Sequence, residues 1–377
     1  MRLIGYILVE AALAACLLAG LGFAGVEGVT RARAFFQKLR ELRAPLELRE
    51  PLELRERRVA AALGSSGAQA GLRSRGDLSS LPDLRVALES SGTFLGMSDE
   101  LLLQRVRTQP IVRFKLNHGG SSLSFRIDFA DDSRAAWKPA QTNAQTVPRK
   151  EVAAYRLNRL LGLNAVPPSA PRAVTREELF EHLHPDSLPA LPRIRAEAVF
   201  DSDGRTTGAA SYWIPVVKDS GFDVAPARQQ AEAWLTQSES IPMEQRAMAA
   251  QLSNLTVFDF LTANTDRYSG GNMKISPDGE QLFFMDNTMS FFVELDGRDK
   301  NRQALFRTQR FSRALYQALD RIDAPTLERI LGQDAGTPIE ILTRPEMRAV
   351  VARRDVVRHY IDDLIAQYGA KNVLSFP

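Results

Sequence analysis

The sequence has little cysteine, little histidine and little net charge, and each scarcity excludes a class of protein. Cys16 is the only cysteine among 377 residues, so the chain has neither an intrachain disulfide framework nor a cysteine-based zinc site. The four histidines do not show the spacing of a metal site. The formal net charge is only +3 and the charges of both signs are interspersed, so no nucleic-acid-binding surface is expected.

What the sequence does have is enough apolar content for a substantial core. Hydrophobic residues make up 44% of the chain, which is typical of a globular protein. A chain of 377 residues can form one two-lobed domain or two domains.

An apolar run occupies residues 3–25, interrupted by Glu10, and it is long enough to cross a bilayer as a helix. We interpret residues 1–27 as a transmembrane anchor or signal segment. The alternatives are a cleaved signal peptide and a lipoprotein signal that ends at Cys16. Because several basic residues follow the run and one precedes it, the positive-inside bias favours a cytoplasmic main domain, with the extracytoplasmic side left open.

Residues 28–94 are predicted to be a stalk and linker. The first part is strongly charged and contains the duplicated segment PLELRE at residues 45–50 and 51–56. The later part is rich in Ser and Gly, which is typical of a flexible linker. The folded part of the chain is therefore expected to begin near residue 95.

Residues 95–217 read as a β-rich half. Alternating apolar and polar residues predict strands at 110–117 and 122–129, and the segment SRAAWKPA predicts a third strand that ends at Lys138. Helical spacing then appears at 151–161, with Gly162 at the position of a C-terminal cap. An Asp-Gly turn within 196–217 predicts two more strands.

Residues 218–377 read as a mainly helical half. The sequence therefore predicts an α+β fold with two lobes. Two short strands, at 272–275 and 282–285, are expected within the helical half. The predicted helices are at residues 243–262, 301–320, 324–332 and 345–368.

The order of certain polar residues suits phosphoryl transfer, which needs clamped phosphates, a neutralising metal and an oriented acceptor. Gly119 and Gly120 lie in a predicted hairpin turn, where backbone amides can approach phosphate oxygens. Lys138 ends a strand and Glu151 follows in the first turn of a helix, so an ammonium group would have a carboxylate partner. Each of these features alone is also common on ordinary protein surfaces.

Two acids in the second half complete this pattern. Asp266 follows a long apolar helix, and its carboxylate could orient or deprotonate an incoming hydroxyl. Asp286 follows the apolar segment QLFFM, a setting suited to Mg²⁺ or Mn²⁺, and Asn272 could add a neutral oxygen ligand. Taken singly, Asp266 could cap a turn and Asp286 could begin a hairpin. The order of all four elements is what indicates phosphoryl transfer.

Three segments of the chain resemble the secretory-pathway kinase family, which includes the Golgi casein kinase, the xylosyl kinase and four-jointed. They are EVAAYRLNRLLGLNAVPPSAPRAV at 151–174, FDFLTANTDRY at 258–268 and FFMDNTMSFF at 283–292. The C-terminal segment at 356–377 is similar to the closing helix of that family. The pattern NTDRYSGGNMKI…MDN is also similar to type II phosphatidylinositol 4-kinases. The resemblance covers about residues 110–377 and implies a kinase-like fold.

The resemblance also implies roles for individual residues. Lys138 would contact the nucleotide phosphates, and Glu151 would pair with it or help to hold the metal. Asp266 would be the catalytic aspartate and Asp286 the principal metal ligand. Asn272 lies one residue further from Asp266 than its counterpart in the usual protein-kinase loop, which weakens its assignment as a metal ligand.

Tyr212, Trp213 and Ile214 would form the hinge beside adenine. The implied cofactors are ATP and Mg²⁺ or Mn²⁺.

The sequence thus predicts a membrane-anchored, ATP-dependent phosphotransferase that acts on a hydroxyl acceptor. Protein Ser/Thr is the favoured acceptor, and a sugar or an inositol lipid is the alternative. A catalytically silent kinase-like binding module at the membrane is the main rival hypothesis.

Overall fold

The computed structural model describes residues 92–269, 271–334, 336–337 and 339–377. These residues belong to one compact unit. The predicted anchor at residues 1–27 and all but the last three residues of the stalk and linker at 28–94 lie outside the described residues. Within the described part, none of the helices combines the length and the apolar character needed to cross a membrane.

A five-stranded antiparallel sheet dominates the first half of the described chain. Its strands are arranged in the order β3-β4-β5-β7-β6. Strand β4 shows why the segment forms a strand, because its apolar residues alternate with polar ones and are buried on one face. The strands are β3 (Ile111–Leu116), β4 (Phe125–Phe129), β5 (Arg134–Lys138), β6 (Ser169–Thr175) and β7 (Arg205–Tyr212).

Two short strands and a helix precede this sheet, none of them predicted from the sequence. Strands β1 (Thr93–Phe94) and β2 (Met97–Ser98) pair with each other and lead into helix α1 (Asp99–Thr108). The Ser98 side chain caps this helix by accepting a hydrogen bond from the Leu101 amide. Helix α1 packs on strands β6 and β7.

Helix α2 (Arg149–Leu160) follows the third strand of the sheet, close to the predicted helix at 151–161. Most of its residues are buried, since the helix lies between the sheet and the helical half. Gly162 has φ +72° and its amide bonds the carbonyl of Arg159, so the predicted C-terminal cap is confirmed.

Two strands were predicted within residues 196–217, and the prediction of the first strand is wrong. In the segment before the turn, Ala196 and Glu197 end helix α4 (Leu191–Glu197), which follows helix α3 (Arg176–Glu181) and a 3-10 turn. Residues 198–201 form no strand and contribute only an isolated bridge between Ala198 and Gln141. Only β7 forms a full strand there, and it pairs with β6 along its length. Strand β6 escaped prediction because it contains a proline, which is tolerated here since β6 lies at the edge of the sheet.

The second half of the described chain is mainly helical, as predicted. Helix α6 is buried on nearly all sides and ends at Ala263 in the left-handed conformation with φ +52°. The predicted helix at 301–320 is divided in two, because residues 308–312 leave the helical conformation. The helices are α5 (Ala227–Trp234), α6 (Arg246–Thr262), α7 (Asp299–Arg307), α8 (Arg313–Ala318), α9 (Ala324–Leu327), α10 (Arg344–Tyr368) and α11 (Ala370–Val373).

A small antiparallel sheet interrupts this helical half. The two predicted short strands form β9 (Met273–Ile275) and β10 (Leu282–Phe284), and β8 (Lys218–Asp219) joins them at the edge. Strand β10 is fully buried, so the chain emerges from an apolar layer at Met285. The α+β fold class is confirmed, and Lys138 and Asp286 lie at or just after the ends of strands in the two sheets.

Candidate active site

Three charged side chains from different elements meet in the fold. Lys138 at the end of β5 places its Nζ 2.9 Å from Oε1 of Glu151 in the first turn of α2. The same Nζ lies 2.6 Å from Oδ1 of Asp286, just after β10. The structure therefore joins three of the four predicted polar residues through one ammonium group.

Electrostatics hold Lys138 and Asp286 in their charged forms. Burial lowers the pKa of Lys138, but Glu151 and Asp286 outweigh burial and raise it above its ordinary value. Burial raises the pKa of Asp286, whereas Lys138 and the Thr288 hydroxyl lower it, with a net decrease. One ammonium thus faces two carboxylates, which leaves a site suited to a further cation.

The position of Lys138 depends on a close approach between two strands. Gly208 of β7 lies so near to β5 that a Cβ atom on it would be 2.2 Å from the carbonyl oxygen of Lys138. Any side chain at this position would push the strands apart. Gly208 therefore permits the strand spacing that places Lys138.

Asp266 lies in the loop after α6, held by a network of hydrogen bonds. Its amide donates to Oδ1 of Asn264 at 2.9 Å, and the Asn301 amide group donates to the carbonyl of Asn264 at 2.6 Å. The carboxylate of Asp266 accepts from the Ser269 hydroxyl and from Nδ2 of Asn272, the latter at 3.2 Å. Asp266 thus contacts Asn272 directly, rather than the ammonium of Lys138.

Arg267 carries a role that the sequence analysis missed. It is 1% exposed, and its guanidinium donates to both carboxylate oxygens of Asp259 in α6. It also donates to the carbonyls of Asn272 and Met285. One buried side chain therefore ties the Asp266 loop to the segment after β10 that carries Asp286.

Asn287 is the second residue that the sequence analysis missed. Its backbone amide and Nδ2 donate to Oε2 of Glu151, at 3.0 and 3.3 Å, while its Oδ1 accepts from Arg267 at 2.8 Å. The Asp-Asn dipeptide at 286–287 was the available signal, but its partners lie far away in sequence. Asn287 connects the Lys138 cluster to the Asp266 loop.

The backbone near both acids adopts conformations that are uncommon for residues other than glycine. Ala263, before the Asp266 loop, has φ +52°, and Asp286 has φ +50°. Such strained positions concentrate at functional sites, where the surrounding structure over-determines them.

A cavity of about 220 Å³ opens above the three charged groups. It has an apolar wall from residues such as Val166, Pro167 and Phe284, and a polar end at Lys138 and Asp286. Small residues of β7 and β6, including Ser211 and Ser169, complete the wall. A flat apolar group could lie against this wall, with its charged groups at the polar end.

The predicted hinge residues are the last residue of β7 and the two residues that follow it. Tyr212 pairs with Ala135 and its ring packs edge-on against Phe94, so the side chain belongs to the core. Trp213 donates its amide to the carbonyl of Arg134 at 3.1 Å. Ser211 lines the cavity, whereas Tyr212, Trp213 and Ile214 do not.

The predicted glycine hairpin connects β3 and β4. Gly119 and Gly120 have φ +93° and +83°, values that glycine adopts without strain. Neither of them lines the cavity above Lys138. The structure therefore does not bring them together with the three charged groups.

A second cavity, of about 440 Å³, lies beside the Asp266 loop. Asp266, Tyr268 and Ser269 line it together with residues from α5, α6 and α7. Asp266 faces this cavity, and Asn272, its hydrogen-bond partner, lines the first. The loop after α6 therefore contributes residues to both cavities.

In the part of the chain that the structure describes, no group of three or more His, Cys, Asp or Glu side chains could enclose a metal ion. A metal in the first cavity would therefore have two carboxylates, from Glu151 and Asp286, with Asn272 nearby. Oxygen donors of this kind suit Mg²⁺ and Mn²⁺, which commonly complete their coordination with water and phosphate. The donor set fits a metal that arrives with a nucleotide.

The fold of the described chain is that of known kinases. It superposes on the Golgi casein kinase with a TM-score of 0.54 at 17% identity, covering 73% of this chain and 78% of that one. A structure of the same kinase with Mn and ADP bound gives 0.56 at 17% identity, with equal coverage. The structure of hydra Fam20 with sugar gives 0.53 at 18% identity, covering 78% of this chain and 98% of that one.

No protein-family model matches the sequence, and no curated protein does so either. At such low identity the structural likeness establishes the fold alone. The predicted resemblance to secretory-pathway kinases is thus confirmed at the level of the fold. The similarity to type II phosphatidylinositol 4-kinases stays a prediction.

Proposed function

We propose that this protein is an ATP-dependent phosphotransferase. The observation that carries the proposal is the Lys138 ammonium, which contacts Glu151 and Asp286 at the polar end of the first cavity. Burying such groups is costly, and a protein without a charged ligand gains little from the arrangement. The kinase fold of the chain and the Mn and ADP bound to one structural neighbour support the same proposal.

Each residue of the cluster has a role in this proposal. Lys138 contacts the phosphates of ATP, and Glu151 keeps the ammonium in place. Asp286, with Glu151 and the Asn272 oxygen, holds Mg²⁺ or Mn²⁺. When bound, the metal neutralises charge on the phosphates and on the transferring group.

In the proposed transfer step, Asp266 acts on the acceptor hydroxyl. The acceptor hydroxyl oxygen forms a bond to the γ-phosphorus, and the bond from that phosphorus to the β,γ-bridging oxygen breaks. The hydroxyl proton moves to the Asp266 carboxylate, and ADP leaves. Asn272 and Ser269 fix the carboxylate through the hydrogen bonds described above.

The second cavity is the proposed acceptor site, because Asp266 faces it from the shared loop. We favour a protein Ser/Thr residue as the acceptor. Its side chain would enter beside Asp266, while neighbouring residues of the acceptor contact the polar lining, which includes Thr256, Gln303 and Lys300. These groups can donate and accept hydrogen bonds with a peptide backbone.

A sugar is the second candidate acceptor, favoured by the sugar in the hydra Fam20 structure. An inositol lipid acceptor depends on the predicted membrane anchor, which lies outside the described residues. The cytoplasmic placement of the domain depends on the same anchor and stays a prediction. A silent binding module would share the first cavity but would not transfer phosphate.

Nucleotide binding provides the test of the proposal. We expect ADP with Mn²⁺ to raise the unfolding temperature of the purified chain, because a ligand that binds only the folded state stabilises it by about 2.7 kcal/mol at 100 times its Kd. ADP with EDTA should give a much smaller shift. Equal shifts with and without the metal would contradict the proposed metal site.

Filling the proposed acceptor cavity should prevent binding of the acceptor without affecting binding of the nucleotide. Ala304 of α7 lines this cavity, so Ala304→Phe should lower phosphorylation of the acceptor by at least about tenfold through steric exclusion. The stabilisation by Mn²⁺ and ADP should not change. Ser/Thr peptides and free monosaccharides, with labelled ATP, would identify the acceptor class.

The control variant is Arg302→Phe, which adds the same ring to α7 at a residue outside the cavity lining. Unchanged phosphorylation in Ala304→Phe would show that the acceptor binds elsewhere.

A further inference from the structure

Three successive residues at the start of α2 contact the helical half of the protein. They are Arg149, Lys150 and Glu151, and each has its own partners there. Glu151 accepts two hydrogen bonds from Asn287 in addition to its contact with Lys138. The two residues before it have no part in the proposed transfer step.

Arg149 forms a bidentate ion pair across the two halves. Its Nη1 and Nη2 donate to the two carboxylate oxygens of Glu346, at 2.8 and 3.0 Å. Nη1 also donates to the carbonyl of Ile341 at 2.7 Å. Planar, bidentate contacts of this kind fix direction as well as distance.

Glu346 is itself held in place at the start of α10. It accepts hydrogen bonds from the amide and hydroxyl of Thr343, and the Thr343 hydroxyl accepts in turn from the Glu346 amide. This reciprocal capping box fixes the side chain of Glu346, the partner of Arg149.

Lys150 makes a second connection, to the segment after Asp286. It is 6% exposed, donates to the carbonyl of Ser290 and lies 4.8 Å from the centre of the Phe292 ring. Its Nζ is also 3.7 Å from Glu346. The start of α2 is therefore attached both to α10 and to the segment that follows Asp286, the proposed metal ligand.

We propose that Arg149 is a positioning residue, which holds the first turn of α2 so that Glu151 keeps Lys138 aligned with Asp286. Lys150 supports the same alignment from the other side. The first turn of α2 is thus attached to the helical half by contacts within the fold. This inference rests on the function proposed above for Lys138, Glu151 and Asp286.

The physical reason is that the three charged groups come from separate parts of the fold. Lys138 belongs to the large sheet, Glu151 to α2 and Asp286 to the helical half. A displacement of about 1 Å in a positioned group can lower a rate by about 100-fold. Arg149 joins α2 to the helical half two residues before Glu151.

The test compares two arginines that anchor opposite ends of α2, one within the helix and one that contacts it from another segment. Arg149→Met removes the bidentate pair and leaves the capping box of Glu346 intact. Arg321→Met is the matched control, because Arg321 donates to the carbonyl of Leu160 at the far end of α2, at 3.1 Å. Arg149→Lys is the conservative variant. All variants are made in the full chain.

We expect Arg149→Met to lower kcat by at least about tenfold, Arg149→Lys to recover part of that loss, and Arg321→Met to leave kcat unchanged. Hydrogen exchange of the amides at 150–155 should be faster in Arg149→Met than in wild type. Equal kcat values in Arg149→Met and Arg321→Met would overturn the proposal.

The exchange measurement separates this proposal from the function on which it rests. If wild type showed no turnover, the proposed function would fail, while exchange would still report whether Arg149 holds α2. Unchanged exchange at 150–155 in Arg149→Met would overturn the positioning role in either case.

Discussion

We expect Asp286→Asn to lower the kcat of the proposed phosphoryl transfer by roughly 10³-fold or more. Asn keeps the shape of the side chain and tolerates the left-handed backbone at this position, where φ is +50°. The substitution therefore removes the charge that faces Lys138 and the metal, with little change to the backbone. Asp286→Ala, which is more strained at this φ, serves as a second variant.

The expected loss has two sources. Without the Asp286 carboxylate, Lys138 retains only Glu151 of its two carboxylate partners, and the proposed metal would lose its principal ligand. Asp286→Asn should therefore also weaken the stabilisation by Mn²⁺ and ADP. The control is Asp278→Asn, in the exposed turn between β9 and β10, where the side chain bonds only local groups. If Asp286→Asn and Asp278→Asn gave equal turnover, the metal role of Asp286 would be wrong.

Asp266→Asn should have a different signature. We expect kcat to fall by roughly 10²- to 10⁴-fold, the usual contribution of a positioned acid or base. Binding of Mn²⁺ and ADP should stay close to wild type, because Asp266 faces the second cavity rather than the first. Single-turnover kinetics and thermal shifts measured on the same sample separate the two quantities.

Ser269→Ala provides a comparison for Asp266→Asn. The Ser269 hydroxyl donates to the Asp266 carboxylate, and Asn272 remains as a second donor when it is removed. A much smaller loss in kcat is therefore expected. A full loss of nucleotide binding in Asp266→Asn would contradict the division of roles between the two cavities.

The local pattern of the sequence was sufficient for the parts of the fold that depend on periodicity. Strands β3 to β5 and the long helices α6 and α10 were predicted, because their apolar spacing reflects which face is buried. The chain order of Lys138, Glu151 and Asp286 indicated that they form one site, and the structure brings them into contact.

The remainder depends on contacts between distant segments. Strand β6 follows two prolines and contains a third, which hid it. The segment predicted as a strand before the Asp-Gly turn is the end of helix α4 followed by an irregular stretch. Arg267 and Asn287 looked like ordinary polar residues, because their partners are separated from them by up to 136 positions. A local sequence pattern does not predict contacts between residues so far apart in the chain.

The spacing between Asp266 and Asn272, one residue longer than in the usual kinase loop, has a structural explanation. Gly271 has φ +85°, so the backbone turns sharply just before Asn272. Asn272 then reaches back to Asp266 with its side chain, while its carbonyl accepts a hydrogen bond from Arg267. The longer loop thus keeps Asn272 beside both Asp266 and the first cavity.

The central claim is that the Lys138, Glu151 and Asp286 cluster binds and activates ATP. The measurement that tests it most directly is the consumption of γ-phosphate-labelled ATP by the purified chain with Mn²⁺ or Mg²⁺, compared between wild type and Asp286→Asn. We predict metal-dependent turnover or autophosphorylation in wild type and its loss in the variant. An absence of turnover in wild type, with nucleotide binding unaffected by Asp286→Asn, would contradict the account.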